Sequence, residues 1–295
     1  MTTFERVEAP FSSSGGTCAA WLYLPEGDHD SLTCVVMGNG FSLTRHDGLP
    51  VFAEAFANAG VAVLLFDYRH QGDSPSHTPG RLRLGEQRAD WCSAVAAARR
   101  HPRVHRSKVV LWGFSLGGGH AVAVGAQDGD LAATLTLCPM LDGRARTLGT
   151  APGLAAWILV RSMVELAGRR VRIPVTAQPT GRGAMNLPGE ADGFARSVHA
   201  TGPWRNEVGP ALFASLWAYR PVSKAKRVAA PSWVGLGGRD ISVSATAIRR
   251  FASVVPCAEL QEYPDADHFD VLMSDRAKNI AVDQLAFLRR RGLVG

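Results

Sequence analysis

The chain has 295 residues, of which 46% are hydrophobic and 20% charged, with a formal net charge of +6 and a pI near 9.4. That is ordinary globular composition, and the length suits one large α/β domain or one domain with an insertion. The basic residues (Arg99, Arg100, Arg103 and Arg106, then Arg161, Arg169, Arg170 and Arg172, then Arg289, Arg290 and Arg291) are scattered and not interleaved with aromatics, which excludes a nucleic-acid face and leaves solvated surface with a lean toward anionic partners.

The N-terminus, MTTFERVEAPF, lacks a basic start followed by an apolar core, so no secretory leader is expected. Residues 4–9 and 17–24 read as an antiparallel strand pair joined by the Ser/Gly turn 12–16. Residues 33–37 read as a buried strand. Residues 49–59 have helical spacing and stop at Gly60. A second apolar strand follows at 61–66, then a helix at 84–99 carrying Trp91 and a string of alanines. Residues 108–114 form a strand, 116–126 a helix and 131–138 the next strand. Nearly all-apolar strands alternating with helices predict an α/β fold, a mostly parallel sheet flanked by helices on both faces.

The alternation stops near Gly143 and resumes after Arg227. Between them, 151–167 is apolar and helix-like, and 179–193 is rich in Gly and Pro and reads as loop. Trp204, Val208, Leu212 and Leu216 recur every four residues, which predicts a helix kinked or restarted at Gly209-Pro210 and ended near Pro221. The segment 143–227 is too long for a simple loop and reads as a helical cap inserted into a core made of 1–142 and 228–295. Strands return at 232–236 and 259–263, and helices at 245–254 and 275–290. The longest apolar run, 154–160, is too short to span a bilayer. The five cysteines (Cys18, Cys34, Cys92, Cys138 and Cys257) form no C-x-x-C pair, which predicts reduced thiols and a cytoplasmic setting.

The chemistry centres on Gly113-Phe114-Ser115-Leu116-Gly117, a G-x-S-x-G between an apolar strand and a helix. A strand turning sharply into a helix lifts the serine out of the backbone, with the first helical N–H groups aimed at whatever it attacks. A serine needs a base, usually a histidine held by a carboxylate. Of the nine histidines, His268 follows the last strand and so shares the sheet's carboxyl edge with Ser115. His120 lies five residues past the serine, and a helix carries it away, so it reads as a pocket or packing residue. His101 and His105 flank Pro102, which breaks the helix a metal pair needs. His29, His46, His70, His77 and His199 read as surface. Asp240 leaves the strand 232–236 through two glycines and is the expected carboxylate, with a capping role as the alternative. Asp142 is the runner-up acid. For the oxyanion, the expected donors are the backbone N–H groups of Leu116 and Phe41, with Ser42 next, in the loop Gly38-Asn39-Gly40-Phe41-Ser42.

These residues together resemble the α/β-hydrolase superfamily, over about 17–142 and 228–290. Within it, the chain looks like the branch of small-molecule esterases, dienelactone-hydrolase-like proteins and polyketide-associated acyl hydrolases. The shared features are the Gly-rich loop, the segment Asp67-Tyr68-Arg69-His70-Gln71-Gly72-Asp73-Ser74, GxSxGG, and His268-Phe269-Asp270. That loop usually reads His-Gly, and here Asn39 replaces the histidine. The Asp67–Ser74 segment is expected to be structural.

The expected function is a serine hydrolase of a carboxylic ester or thioester, acting through an acyl-enzyme on a small hydrophobic acyl substrate. Trp157, Trp204, Phe213 and Trp217 are expected to help line the pocket. No cofactor or metal is expected, because phosphate-loop, dinucleotide and metal-ligand patterns are absent from the sequence. The expected partner is the small-molecule substrate, with no nucleic acid and no membrane, and a homodimer as the candidate assembly. Two alternatives stay open: an acyltransferase or cyclase using the same three residues, and a non-catalytic binding protein on this fold.

Overall fold

The computed structural model describes residues 3–27 and 30–295. Met1, Thr2, Asp28 and His29 lie outside the described residues, and so does the surface reading of His29. In chain order the elements are β1 (Phe4–Glu8), β2 (Phe11–Ser13), β3 (Gly16–Cys18), β4 (Ala20–Pro25), β5 (Leu32–Gly38), α1 (Pro50–Asn58), β6 (Ala62–Phe66), α2 (Leu84–Arg100), β7 (Val104–Phe114), α3 (Leu116–Gly125) and β8 (Ala133–Leu137). They continue with α4 (Gly143–Leu148), α5 (Pro152–Leu166), α6 (Glu190–Ser197), α7 (Phe213–Leu216), β9 (Ser232–Gly237), α8 (Ala245–Val254), β10 (Ala258–Tyr263) and α9 (Ser274–Arg290).

An eight-stranded sheet runs in the order β1-β4-β6-β5-β7-β8-β9-β10. The pairs β1–β4 and β4–β6 are antiparallel, and every pairing from β6 to β10 is parallel. The central strands β5, β6, β8 and β9 are buried along their whole length because both of their faces are covered. In β7, Val110 and Trp112 join one core while Val109 and Leu111 join the other, as the two-residue side-chain period requires. The first core packs Phe52 and Phe56 of α1 and Ile280 of α9. The second packs Trp91 and Ala94 of α2 with Ala121 of α3. A polar contact ties β7 to α9 within the first core: Trp112 Nε1 donates to Gln284 Oε1 at 2.9 Å. Among the described residues no helix is long and apolar enough to cross a membrane.

Three expectations need correction. The strand 17–24 is broken at Ala19, because Ser74 Oγ takes its N–H (2.9 Å) and Asp67 N–H takes its carbonyl (2.9 Å). Cys18 then pairs back with Phe11 in a separate hairpin, so the turn 12–16 carries two short strands of its own. The loop at 179–193 ends at Gly189 (φ +84°), the N-cap of α6, four residues before the stretch was expected to end. The helix expected from Trp204 is absent up to Gly209. Val208 instead pairs with Ile173 in an isolated antiparallel bridge, and helical turns begin only at Pro210.

Candidate active site

Ser115 sits between β7 and α3 with φ +51°, a left-handed conformation for a residue with a side chain. The flanking glycines permit the turn. A Cβ on Gly113 would lie 2.4 Å from the Gly117 carbonyl oxygen, and a Cβ on Gly117 would lie 2.4 Å from the Asn39 carbonyl oxygen. The serine turn therefore rests directly on the loop after β5.

His268 and Asp240 reach Ser115 from the ends of later strands. His268 Nε2 lies 3.0 Å from Ser115 Oγ, and His268 Nδ1 lies 2.6 Å from Asp240 Oδ2. All three are buried, with Ser115 7% and His268 3% exposed and the Asp240 side chain fully covered. The second oxygen of Asp240, Oδ1, accepts from the backbone N–H of Ser242 (2.8 Å) and Val243 (3.2 Å). Those bonds fix the face it turns to the imidazole. Phe114 and Phe269 pack against the imidazole, with centroids 4.9 and 5.1 Å away. With that arrangement His268 can take the Ser115 proton while Asp240 balances the imidazolium.

The loop after β5 is held by the residue that departs from the usual pattern. Asn39 Nδ2 donates to the carbonyls of Thr44 (2.7 Å) and Asp47 (2.8 Å), and Asn39 Oδ1 accepts from Gly40 N–H at 2.8 Å. Its own carbonyl accepts from Tyr68 Oη at 3.0 Å, and that oxygen in turn accepts from Trp91 Nε1 at 3.0 Å. Phe41 and Leu116 both border the cavity at Ser115.

Asp142 is occupied elsewhere. Its Oδ1 accepts from Arg144 N–H (3.1 Å) and Ala145 N–H (3.3 Å), capping α4, and its carboxylate pairs with Arg220. His120 is fully buried between Tyr219 Oη (3.0 Å from Nδ1) and Gln87 Oε1 (3.1 Å from Nε2), and burial pushes its imidazole down to about 3. In the Asp67–Ser74 segment, Arg69 pairs with buried Asp90 at 2.6 Å and Asp67 accepts from the backbone N–H of Arg45 and Asp73.

Among the described residues one set of donors is close enough to share a metal ion: single donor atoms of Cys138, Asp240 and His268 lie within 4.8 Å of one another. Burial, and then the Asp240 carboxylate, push the Cys138 thiol well above its ordinary range. A thiol kept protonated is a poor metal ligand.

The cavity at Ser115 measures about 40 Å³ and is walled by apolar side chains, among them Phe41, Met140, Met185, Leu212, Phe213 and Leu216. The expected aromatics are dispersed. Phe213 borders this cavity, and Trp217 borders a neighbouring one of about 380 Å³. Trp204 and Ser42 border a polar cavity of about 110 Å³ together with His70 and Gln71. Trp157 borders none of these three and lies beneath Arg161, whose guanidinium is 4.1 Å from its ring. Met140 and Met185 were not singled out from the sequence, where single apolar residues in short turns carry no periodic signal, and Leu212 and Leu216 were read there as part of a helix face and not as cavity lining. Arg146 was missed too. It borders the cavity and pairs bidentately with buried Glu190 at 2.9 and 3.1 Å.

This arrangement of sheet and flanking helices is that of the α/β hydrolases, and solved structures share it. The structure of the α/β hydrolase GrgF from Penicillium sp. sh18 superposes with a TM-score of 0.82 at 20% identity, covering 97% of this chain and 99% of that one. Residues 34–273 match the family described as serine aminopeptidase, S33, and the chain belongs to that family of the α/β-hydrolase superfamily. The quorum-quenching protein AidA of Acinetobacter baumannii is 32% identical over 292 residues, spanning 96% of this chain and 94% of its own length. The thiohydrolase aneE of Aspergillus aculeatus is 24% identical over 284 residues, 91% of this chain and 87% of its own.

Proposed function

We propose that the protein is a serine hydrolase that cleaves a carboxylic ester or thioester with a hydrophobic acyl group. The observation that carries this reading is the unbroken hydrogen-bond chain Asp240–His268–Ser115, opening onto an apolar cavity. Ser115 Oγ attacks the acyl carbon as His268 takes its proton. Asp240 holds the ring in the tautomer that leaves Nε2 free to accept. The N–H groups of Leu116 and Phe41 receive the oxyanion. His268 then protonates the leaving alcohol or thiol, and water repeats the sequence to free the acid. Family membership and similarity to a protein named a thiohydrolase support hydrolytic chemistry and the inclusion of thioesters. Residues 143–227 act in this reading as the cap, with 1–142 and 228–295 as the core. Five free thiols, three of them buried, support a reducing, cytoplasmic setting.

The test is turnover of short p-nitrophenyl esters and an acyl thioester without added cofactor, each with and without an alcohol or amine acceptor. Free acid formed in the absence of acceptor supports the reading. Product formed only with acceptor overturns it in favour of acyl transfer. No turnover combined with no fluorophosphonate labelling would leave a non-catalytic binder.

A further inference from the structure

The cavity that holds Ser115 is small. At about 40 Å³ it has room for about three waters, enough for a short acyl stub. The neighbouring cavity, at about 380 Å³, is large enough to hold most of a drug-sized ligand. The two share a wall: Phe213, Leu216, Ala184 and Arg146 border both. The outer cavity is built by α4, α5 and α7, and at its rim Leu159 and Trp217 stand 50% and 45% exposed.

We propose that the protein takes acyl groups of eight carbons or more, with the carbonyl at Ser115 and the distal chain passing the Phe213–Leu216 wall into the outer cavity. This rests on the hydrolase reading and assigns it a substrate class. Two features favour an uncharged aliphatic chain. The side chains along the route are mainly apolar: Met140, Leu212, Ile158 and Ala155 line its two halves. The one cation on the shared wall, Arg146, spends its guanidinium on Glu190. Arg146 is therefore no anchor for a second carboxylate. Ala155 and Ala156 lie on the outer cavity alone and do not border the Ser115 cavity.

The experiment has a binding arm and a turnover arm. In Ser115→Ala, calorimetry compares octanamide with butanamide, two neutral ligands that differ only in chain length. Each methylene removed from water contributes about a fourfold gain, so octanamide should bind at least tenfold tighter. Adding Ala155→Trp fills the outer cavity and should remove that preference. Ala156→Trp serves as a second filling variant if the first fails to melt cooperatively. In the enzyme with Ser115 intact, the ratio of kcat/KM for p-nitrophenyl octanoate over butyrate should fall tenfold or more on either substitution. Equal binding of the two amides, or a chain-length preference that survives both filled cavities in folded protein, overturns the proposal while leaving hydrolysis of short esters standing. A preference in binding that the filling variants abolish, with no ester or thioester turned over, supports the chain site and sinks the hydrolase reading instead.

Discussion

Tyr68 donates its hydroxyl hydrogen to the carbonyl of Asn39 at 3.0 Å, and Trp91 Nε1 donates to that same hydroxyl oxygen. A fully buried tryptophan on α2 is thus connected through one phenol to the loop that faces Ser115. Tyr68→Phe strands a buried carbonyl and a buried indole N–H, at a cost of about 1–3 kcal/mol for each unsatisfied group. The expected outcome is a clear drop in melting temperature with a fall in kcat on short esters, because the Phe41 N–H loses the support of its neighbour. An unchanged kcat in a destabilised protein would show that Asn39 is held well enough by its own side chain.

Ser115→Ala should abolish fluorophosphonate labelling, and both Ser115→Ala and His268→Ala should lower kcat by several orders of magnitude. Groups that act as a unit are lost as a unit. Circular dichroism should show both variants folded. Labelling of another serine in Ser115→Ala would transfer the nucleophile's role elsewhere.

The two aspartates separate by kind of damage. Asp240→Asn should cut kcat by about 10⁴, since an amide facing Nδ1 selects the wrong tautomer. Asp142→Ala should instead remove the cap of α4 and lower stability by about 1 kcal/mol. Urea midpoints and kcat for the two variants check the split, and a reversed pattern would assign the acid to Asp142.

The buried imidazole of His120 predicts acid sensitivity. Its ordinary value is 6.5, and burial takes it to about 3. Above pH 6.5 the ring is neutral both folded and unfolded, so it contributes no pH dependence. Below 6.5 the unfolded chain binds a proton that the native site refuses. Stability therefore falls as pH drops toward 3, by about 1.4 kcal/mol per unit. Wild type minus His120→Gln, measured by urea unfolding at pH 7, 6 and 5, should isolate this loss, since other groups cancel in the difference. A flat difference would mean that the native ring takes up its proton over the same pH range as the unfolded one.

The parts of this fold that were legible in the sequence are those made by long-lived periodicity or by steric necessity. β5, β6 and the second half of β7, 109–114, are continuous buried runs because both faces are covered, and Gly113 and Gly117 flank Ser115 because backbone atoms lie where their Cβ atoms would be. Asp240 and His268 were legible through chain order and their positions after strands. The segment between β8 and β9 was read less well. α7 is a single turn, and Val208 shares the four-residue spacing of Leu212 and Leu216 yet is extended against Ile173. That spacing arises from two different structures set end to end, and a pattern of four residues does not record the break. The polar partner of Arg146, Glu190, lies 44 residues away, a distance that no local pattern reports.

Ser242 joins two parts of the molecule. Its backbone N–H supports Asp240 Oδ1 at 2.8 Å, and its hydroxyl donates to Glu190 Oε1 at 2.7 Å. Glu190 stands at the first position of α6 and grips Arg146 on α4. The loop that holds Asp240 is thereby tied to α4 and α6, and through Arg146 to the wall of the Ser115 cavity. A change at Ser242, Glu190 or Arg146 should therefore be felt both at the cavity wall and at the carboxylate facing His268.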